Sequence, residues 1–135
     1  MPALLVFICL LAATGCDEKS PTAPGVPLNQ QFTLKRSESA TIDPTSIRIQ
    51  FTEVTGDSRC PADAVCIQGG DAVVHVRVED SGERSDYELH TGDSTRASAV
   101  HKQYRISLVQ LEPYPFSNRT IPQDEYRATL TVTNR

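Results

Sequence analysis

Cys60 and Cys66 stand six positions apart in the run SRCPADAVCIQGGD, from Ser58 to Asp71, with Pro61 after the first sulfur and Gly69-Gly70 beyond the second. Two thiols so placed can ligate a metal, cycle between dithiol and disulfide, or be joined as a permanent crosslink. Structural zinc draws on cysteine pairs with about two to four residues between them; here five intervene, and the set would need two of His75, His90 and His101. Strand alternation sends His75 to the face opposite Val74 and Val76. A redox centre needs a low-pKa thiol, typically in Cys-x-x-Cys at a helix start, and neither that spacing nor a helix is evident. A crosslink needs only an oxidising compartment, and closing so small a loop stabilises by about 2 to 2.5 kcal/mol in the chain-entropy model. We therefore expect a Cys60–Cys66 disulfide, with no metal and no cofactor.

Around this staple lie the candidate binding residues: Arg59, Asp63, Gln68 and Asp71 from the loop itself, and Tyr114 and Phe116 from Pro113-Tyr114-Pro115-Phe116. Loops displayed on a rigid scaffold often carry binding function. The alternative is that the two rings cap the core and the charges are solvated. Other chemistry is thin. His90 near Asp93 and Ser94 resembles an acid–base grouping, but no nucleophile-elbow sequence accompanies it, and it reads more simply as a strand end followed by a turn. Asp57, Asp63 and Asp71 flank one loop in a manner that would suit calcium, without the spacing of an EF-hand. Asn118-Arg119-Thr120 is a sequon read as an ordinary turn.

The N-terminus argues for export. MPALLVFICLLAATG is apolar from Ala3 to Ala13 and closes on small residues, the pattern of a signal peptide over 1–15. Its apolar run is shorter than the roughly 20 residues needed to span a bilayer. Leu11-Ala12-Ala13-Thr14-Gly15-Cys16 resembles the lipobox of bacterial lipoproteins, in which the cysteine is acylated and becomes the new N-terminus. Cys16 is then the lipidation site; cleavage after Gly15 to release a soluble secreted chain is the competing reading. Cys9 would leave with the leader and Cys16 would carry lipid, so two cysteines remain to pair outside the reducing cytosol.

These groups need a scaffold. Residues 16–30 carry Pro21, Pro24 and Pro27 and read as a tether of roughly 45 Å if extended as polyproline II. Residues 31–135 suit a single domain. Its periodicity is two: Ala72, Val74, Val76 and Val78 alternate with polar residues over 70–79, Ile47, Ile49 and Phe51 over 46–52, and Tyr126, Ala128, Leu130 and Val132 over 126–133. Weaker strands are expected at 31–35, 40–42, 84–89 and 103–111, the last with either a bulge or a second buried side at Val109 and Leu111. Residues 96–100 are too short for a helix that matters. Turn chemistry at Asp43-Pro44, Thr55-Gly56-Asp57, Asp80-Ser81-Gly82 and Thr91-Gly92-Asp93 separates the segments. Six to seven antiparallel strands predict an all-β, immunoglobulin-like β-sandwich, with a small β-barrel as alternative.

At the loop the chain resembles a widespread group of small bacterial lipoproteins of uncharacterised function. The resemblance rests on Cys60-Pro61, four residues, then Cys66-Ile67-Gln68-Gly69, and extends to Glu88-Leu89-His90-Thr91-Gly92 and to the stretch from Tyr104 to Pro115. Members commonly hold tryptophan where this chain has Gln68. The resemblance implies an envelope location and the disulfide, and it implies no activity.

A net charge of −4 leaves no basic footprint for nucleic acid. The function expected is a membrane-anchored, non-catalytic envelope binding or structural module. It would be held through its N-terminal lipid, facing the periplasm or exterior, with an envelope protein or glycan as partner. A protease inhibitor-like sandwich is the alternative, supported only by fold analogy, and an enzyme is the third reading.

Overall fold

The computed structural model describes residues 25–135; the leader at 1–15, Cys16 and the tether through residue 24 lie outside the described residues. Nine strands follow in order: β1 (Val26–Pro27), β2 (Gln31–Lys35), β3 (Ser39–Asp43), β4 (Ile47–Asp57), β5 (Ala72–Asp80), β6 (Glu83–His90), β7 (Ser98–His101), β8 (Tyr104–Glu112) and β9 (Arg127–Asn134), with a single 3-10 turn at Gln123–Glu125. They form two sheets, ordered β1-β3-β4-β5-β6 and β2-β9-β8-β7. Every pairing is antiparallel except the short parallel contact of β1 with β3. The expected β-sandwich is the architecture observed, and neither sheet closes into a barrel.

Period-two patterning explains the layers. Along β5 the buried residues are Ala72, Val74, Val76, Val78 and Asp80, while His75, Arg77 and Glu79 point outward. Ala128, Leu130 and Val132 of β9 bury in the same rhythm, and the two faces meet over Ile42, Ile47, Ile49, Phe51, Leu89 and Ile106. Burying such side chains contributes roughly 1.5–3 kcal/mol each relative to exposure. A one-residue slip would turn the whole row outward, so register is firmly specified.

The chain departs from the expected strands where its parity breaks. β4 runs to Asp57, well past residue 52, because register shifts between Phe51 and Glu53 and between Thr55 and Asp57 let Val54 return to the core after Phe51. Gly56 carries φ +66° in the second irregularity, a backbone conformation glycine adopts without steric cost. The bulge anticipated in β8 falls between Leu108 and Gln110, leaving Val109 exposed and Leu111 buried. Residues 96–100 supply most of β7, an edge strand paired only with β8.

Residues 26–30, expected to belong to the tether, join the fold instead. Val26 and Pro27 pair with Ile42 and Asp43, Val26 and Leu28 pack against the core, and Asn29 N–H donates to Val132 O at 2.8 Å. Two apolar residues among the prolines are enough to dock the segment. The folded unit therefore includes residue 25 onward. Gly25 enters against Asp43, where a Cβ would fall 2.2 Å from Oδ2.

Candidate functional site at the stapled pole

The sandwich has two poles. At one, Asp57 ends β4, Ala72 begins β5, His90 ends β6 and Glu112 ends β8, and the stapled loop lies there. At the other, Ile47, Asp80 and Glu83 meet His101 and Tyr104, and Gly25 enters there. The eleven residues of β4 put the poles roughly 30 Å apart at about 3.3 Å per residue.

Cys60 and Cys66 are joined as a disulfide with Cα atoms 6.0 Å apart, which removes both from metal or redox chemistry in this state. His75 is instead bound to Thr55 Oγ1 at 2.5 Å, and His101 sits at the far pole. The loop is braced at its neck and at its flank. Ser58 N–H donates to Asp71 O at 2.7 Å and Asp71 N–H to Ser58 Oγ at 3.1 Å. Gly70 permits that closure: a Cβ there would lie 1.4 Å from Ser58 O, whereas one on Gly69 would meet nothing. On the flank, Ala62 N–H donates to Pro115 O at 2.8 Å, and Asp63 accepts from both the N–H and the hydroxyl of Ser117. These two bonds hold the Asp63 carboxyl below its ordinary pKa, the Ser117 hydroxyl contributing most. Loops 58–71 and 113–117 therefore form one braced surface, and from it Val65 and Ile67 project fully exposed, with Tyr114 and Phe116 exposed at 60% and 51%.

Beneath that surface Arg59 is buried. Its Nε and Nη2 donate to the two oxygens of Asp57 at 2.8 and 2.7 Å. Nη1 and Nη2 also reach the carbonyls of Leu111 and Pro113 at 2.7 and 2.9 Å, and the guanidinium lies 5.5 Å from the Tyr114 ring centroid. Tyr126 O–H completes the group, donating to Asp57 Oδ2 at 2.9 Å. Burial alone would raise the Asp57 carboxyl, but the bonds from Arg59 and Tyr126 outweigh it and hold its pKa low. Burial, reinforced by the Asp57 carboxylate, pushes the Tyr126 phenol up to about 12. One fork of donors thus ties the end of the first sheet to the β8 terminus of the second.

Asp71 serves His90. His90 Nδ1 lies 2.5 Å from Asp71 Oδ2, and Oδ1 accepts from Gly92 N–H at 2.8 Å and Thr91 Oγ1 at 3.4 Å. Partial burial raises the Asp71 pKa, yet the Gly92 and His90 bonds bring the net shift below the ordinary value. An ionised carboxylate only accepts, so Nδ1 carries the proton it shares. His90 Nε2 is buried and has no partner among the described residues. The ring forms part of the wall of a cleft of about 200 Å³, together with Arg59, Ala97, Leu108, Val109, Leu111 and Tyr114.

The far pole answers with similar residues. Buried Asp80 accepts from Lys102 Nζ at 2.7 Å, Ser46 Oγ at 2.7 Å and Ser81 Oγ at 3.2 Å. His101 Nε2 approaches it at 3.4 Å, and His101 Nδ1 takes the Tyr87 hydroxyl at 2.9 Å. The Lys102 ammonium, more than any other partner, holds the Asp80 carboxyl far below the usual carboxylate range, and Asp80 in turn raises Lys102.

Of the residues expected to bind, Gln68, Tyr114 and Phe116 stand on the surface, Asp63 is exposed but engaged with Ser117, and Arg59 and Asp71 are built into the scaffold. The three aspartates that suggested calcium each face a different partner, and among the described residues no group of three His, Cys, Asp or Glu side chains assembles for a metal. His90 does not meet Asp93, which accepts from Thr95 N–H and Oγ1 in its own turn. The exposed Val65 and Ile67, and the pairing of His90 with Asp71, had no marker in the sequence beyond their place near the staple. No protein-family model, curated protein or solved structure matches the chain.

Proposed function

We propose that the protein is a lipid-anchored, non-catalytic binding module of the bacterial envelope that presents its stapled pole to a partner protein. The observation that carries this reading is the set of four exposed apolar side chains, Val65, Ile67, Tyr114 and Phe116, on two loops braced to each other. Exposed apolar groups gathered on one rim are the usual mark of an interaction surface, and a pre-braced loop loses less conformational entropy on binding. The partner is a protein rather than a glycan, because the two aliphatic side chains offer no hydrogen bonds to sugar hydroxyls.

Polarity of the fold supports the same reading. The segment that leads back toward Cys16 enters at the Asp80 pole, against Asp43. A tether attached there carries the apolar rim on the side away from its anchor. The rim then faces outward, toward a neighbouring envelope component.

The test is site-specific photocrosslinking in the native envelope, with the crosslinker at Ile67 or Phe116 and a control at Gln103 on the far pole. Adducts with one protein from the first two positions but not from Gln103, abolished by Val65→Ser/Ile67→Ser, are the expected result. Equal labelling from both poles, or none from the rim, overturns the reading.

A further inference from the structure

Among the described residues His90 Nε2 is a buried polar atom without a partner, and at the same pole the other buried side-chain polar groups have one. Leaving such a group unpaired is destabilising. Asp71 fixes its tautomer: with Nδ1 donating to the carboxylate at 2.5 Å, the imidazole in its neutral form keeps a bare lone pair on Nε2 and can only accept there. The walls beside it are Ala97, Leu108, Val109 and Leu111, and Thr91, Gln110, Arg59 and Tyr114 complete the lining. A largely apolar body that carries one donor suits such a wall. The volume of about 200 Å³ lies below the roughly 300 Å³ at which small-molecule sites begin, and suits a single aromatic side chain.

We propose that the His90 cleft is the anchor pocket for one aromatic residue of the partner that carries a hydrogen-bond donor, a tyrosine phenol or a tryptophan indole, accepted by His90 Nε2. This rests on the reading that the stapled pole docks a protein. Tyr114 belongs both to the cleft and to the exposed rim, so a partner seated on the rim lies over the cleft mouth. Nε2 is buried, so the occupant reaches it only as the cleft lining gives way, and one lining strand, β8, already has its register interrupted between Leu108 and Gln110. A carboxylate-oriented imidazole also serves metal ions, but among the described residues no ligand group surrounds this one. Tyrosine and tryptophan are also the residues most enriched at the energetic centres of protein interfaces.

The experiment titrates the purified full-length protein with N-acetyl-tyrosinamide, N-acetyl-tryptophanamide and N-acetyl-phenylalaninamide, following the His90 imidazole nitrogens and backbone amides by NMR. The first two should shift Nε2 and the amides of Thr91 and Gln110 with Kd on the order of 1 mM. The phenylalanine probe, which lacks the donor, should bind about tenfold more weakly. His90→Phe should erase the preference. In Asp71→Asn the side-chain carbonyl can keep Gly92 N–H while the amide N–H₂ faces Nδ1, which moves the ring proton to Nε2 and should reverse its nitrogen shift and abolish the preference, even if the first variant fails to fold. Equal binding of all three probes, shifts confined to residues away from the cleft, or no shift well above the millimolar range overturns the proposal. Val65→Ser/Ile67→Ser should leave probe binding intact, since neither residue lines the cleft. Failure of rim crosslinking with probe binding retained would remove the function and spare the pocket; the converse would remove the pocket alone.

Discussion

Each pole of this sandwich holds a buried histidine beside an aspartate, and the two are finished differently. At the pole where Gly25 enters, His101 has Asp80 on one nitrogen and Tyr87 on the other, and Asp80 is itself saturated by Lys102, Ser46 and Ser81. At the stapled pole His90 has Asp71 on one nitrogen and, among the described residues, nothing on the other, beside a cleft and an apolar rim. A closed network fixes the packing of two sheets and offers a ligand no free group. An open one keeps a group in reserve. Similar side chains thus close a network at one end and leave a buried nitrogen unpaired beside a cleft at the other.

The comparison breaks most visibly at Arg59. Arg59→Ala leaves Asp57 buried without its cation and should destabilise by about 3–5 kcal/mol, read as a lowered urea midpoint. Lys102→Ala at the other pole should move the midpoint much less, because the ammonium is half exposed and Asp80 retains its hydroxyl partners. Equal losses would mean that the two clasps are energetically alike.

Next comes the staple, which has no counterpart at the Asp80 pole among the described residues. Cys60→Ser/Cys66→Ser should cost about 2 kcal/mol and loosen only the loop. Amide exchange should accelerate over 58–71 and 113–117 while the far pole is unchanged.

A pH effect of similar size tests the Tyr126 link. Its folded pKa of about 12 exceeds the ordinary value of about 10, so the phenol contributes stability that is fully present below pH 10 and lost as pH rises toward 12. The loss is on the order of 2 kcal/mol and should be missing from Tyr126→Phe. Asp57, whose pKa is lowered, gives the opposite limb: its contribution is present above about pH 4 and fades as pH falls through the folded pKa. Titration of unfolding free energy in both proteins measures the difference.

Smallest in stability, Val65→Ser/Ile67→Ser should stay within about 0.5 kcal/mol of the parent, since both side chains are already in water. A large loss would show that the rim is structural after all, and the contrast between the poles would disappear.

The strand pattern was legible wherever alternation continued without interruption. Residues 70–79 and 126–133 announce β5 and β9 because a buried face imposes period two on local sequence. Beyond Phe51 the alternation fails, and β4 reads as ending at 52; its bulges shift parity, so the continuation looks like loop. β7 was hidden for another reason: an edge strand of four residues pairs on one side only and needs little apolar signature. Val26 and Leu28 were obscured by the prolines around them, although they pack on the core.

By itself the sequence determined the class of fold and the pairing of Cys60 with Cys66, because alternation and short-range cysteine spacing are local properties; in β8 it marked the break in parity, and the structure decided for a bulge. Tertiary structure alone decided that Arg59 is a clasp and that His90 answers to Asp71. Arg59 meets the Leu111 carbonyl across 52 positions and Tyr126 meets Asp57 across 69. Such partners are chosen by which strand ends the two sheets bring together. That choice depends on register and on loop closure, which no short window of residues contains.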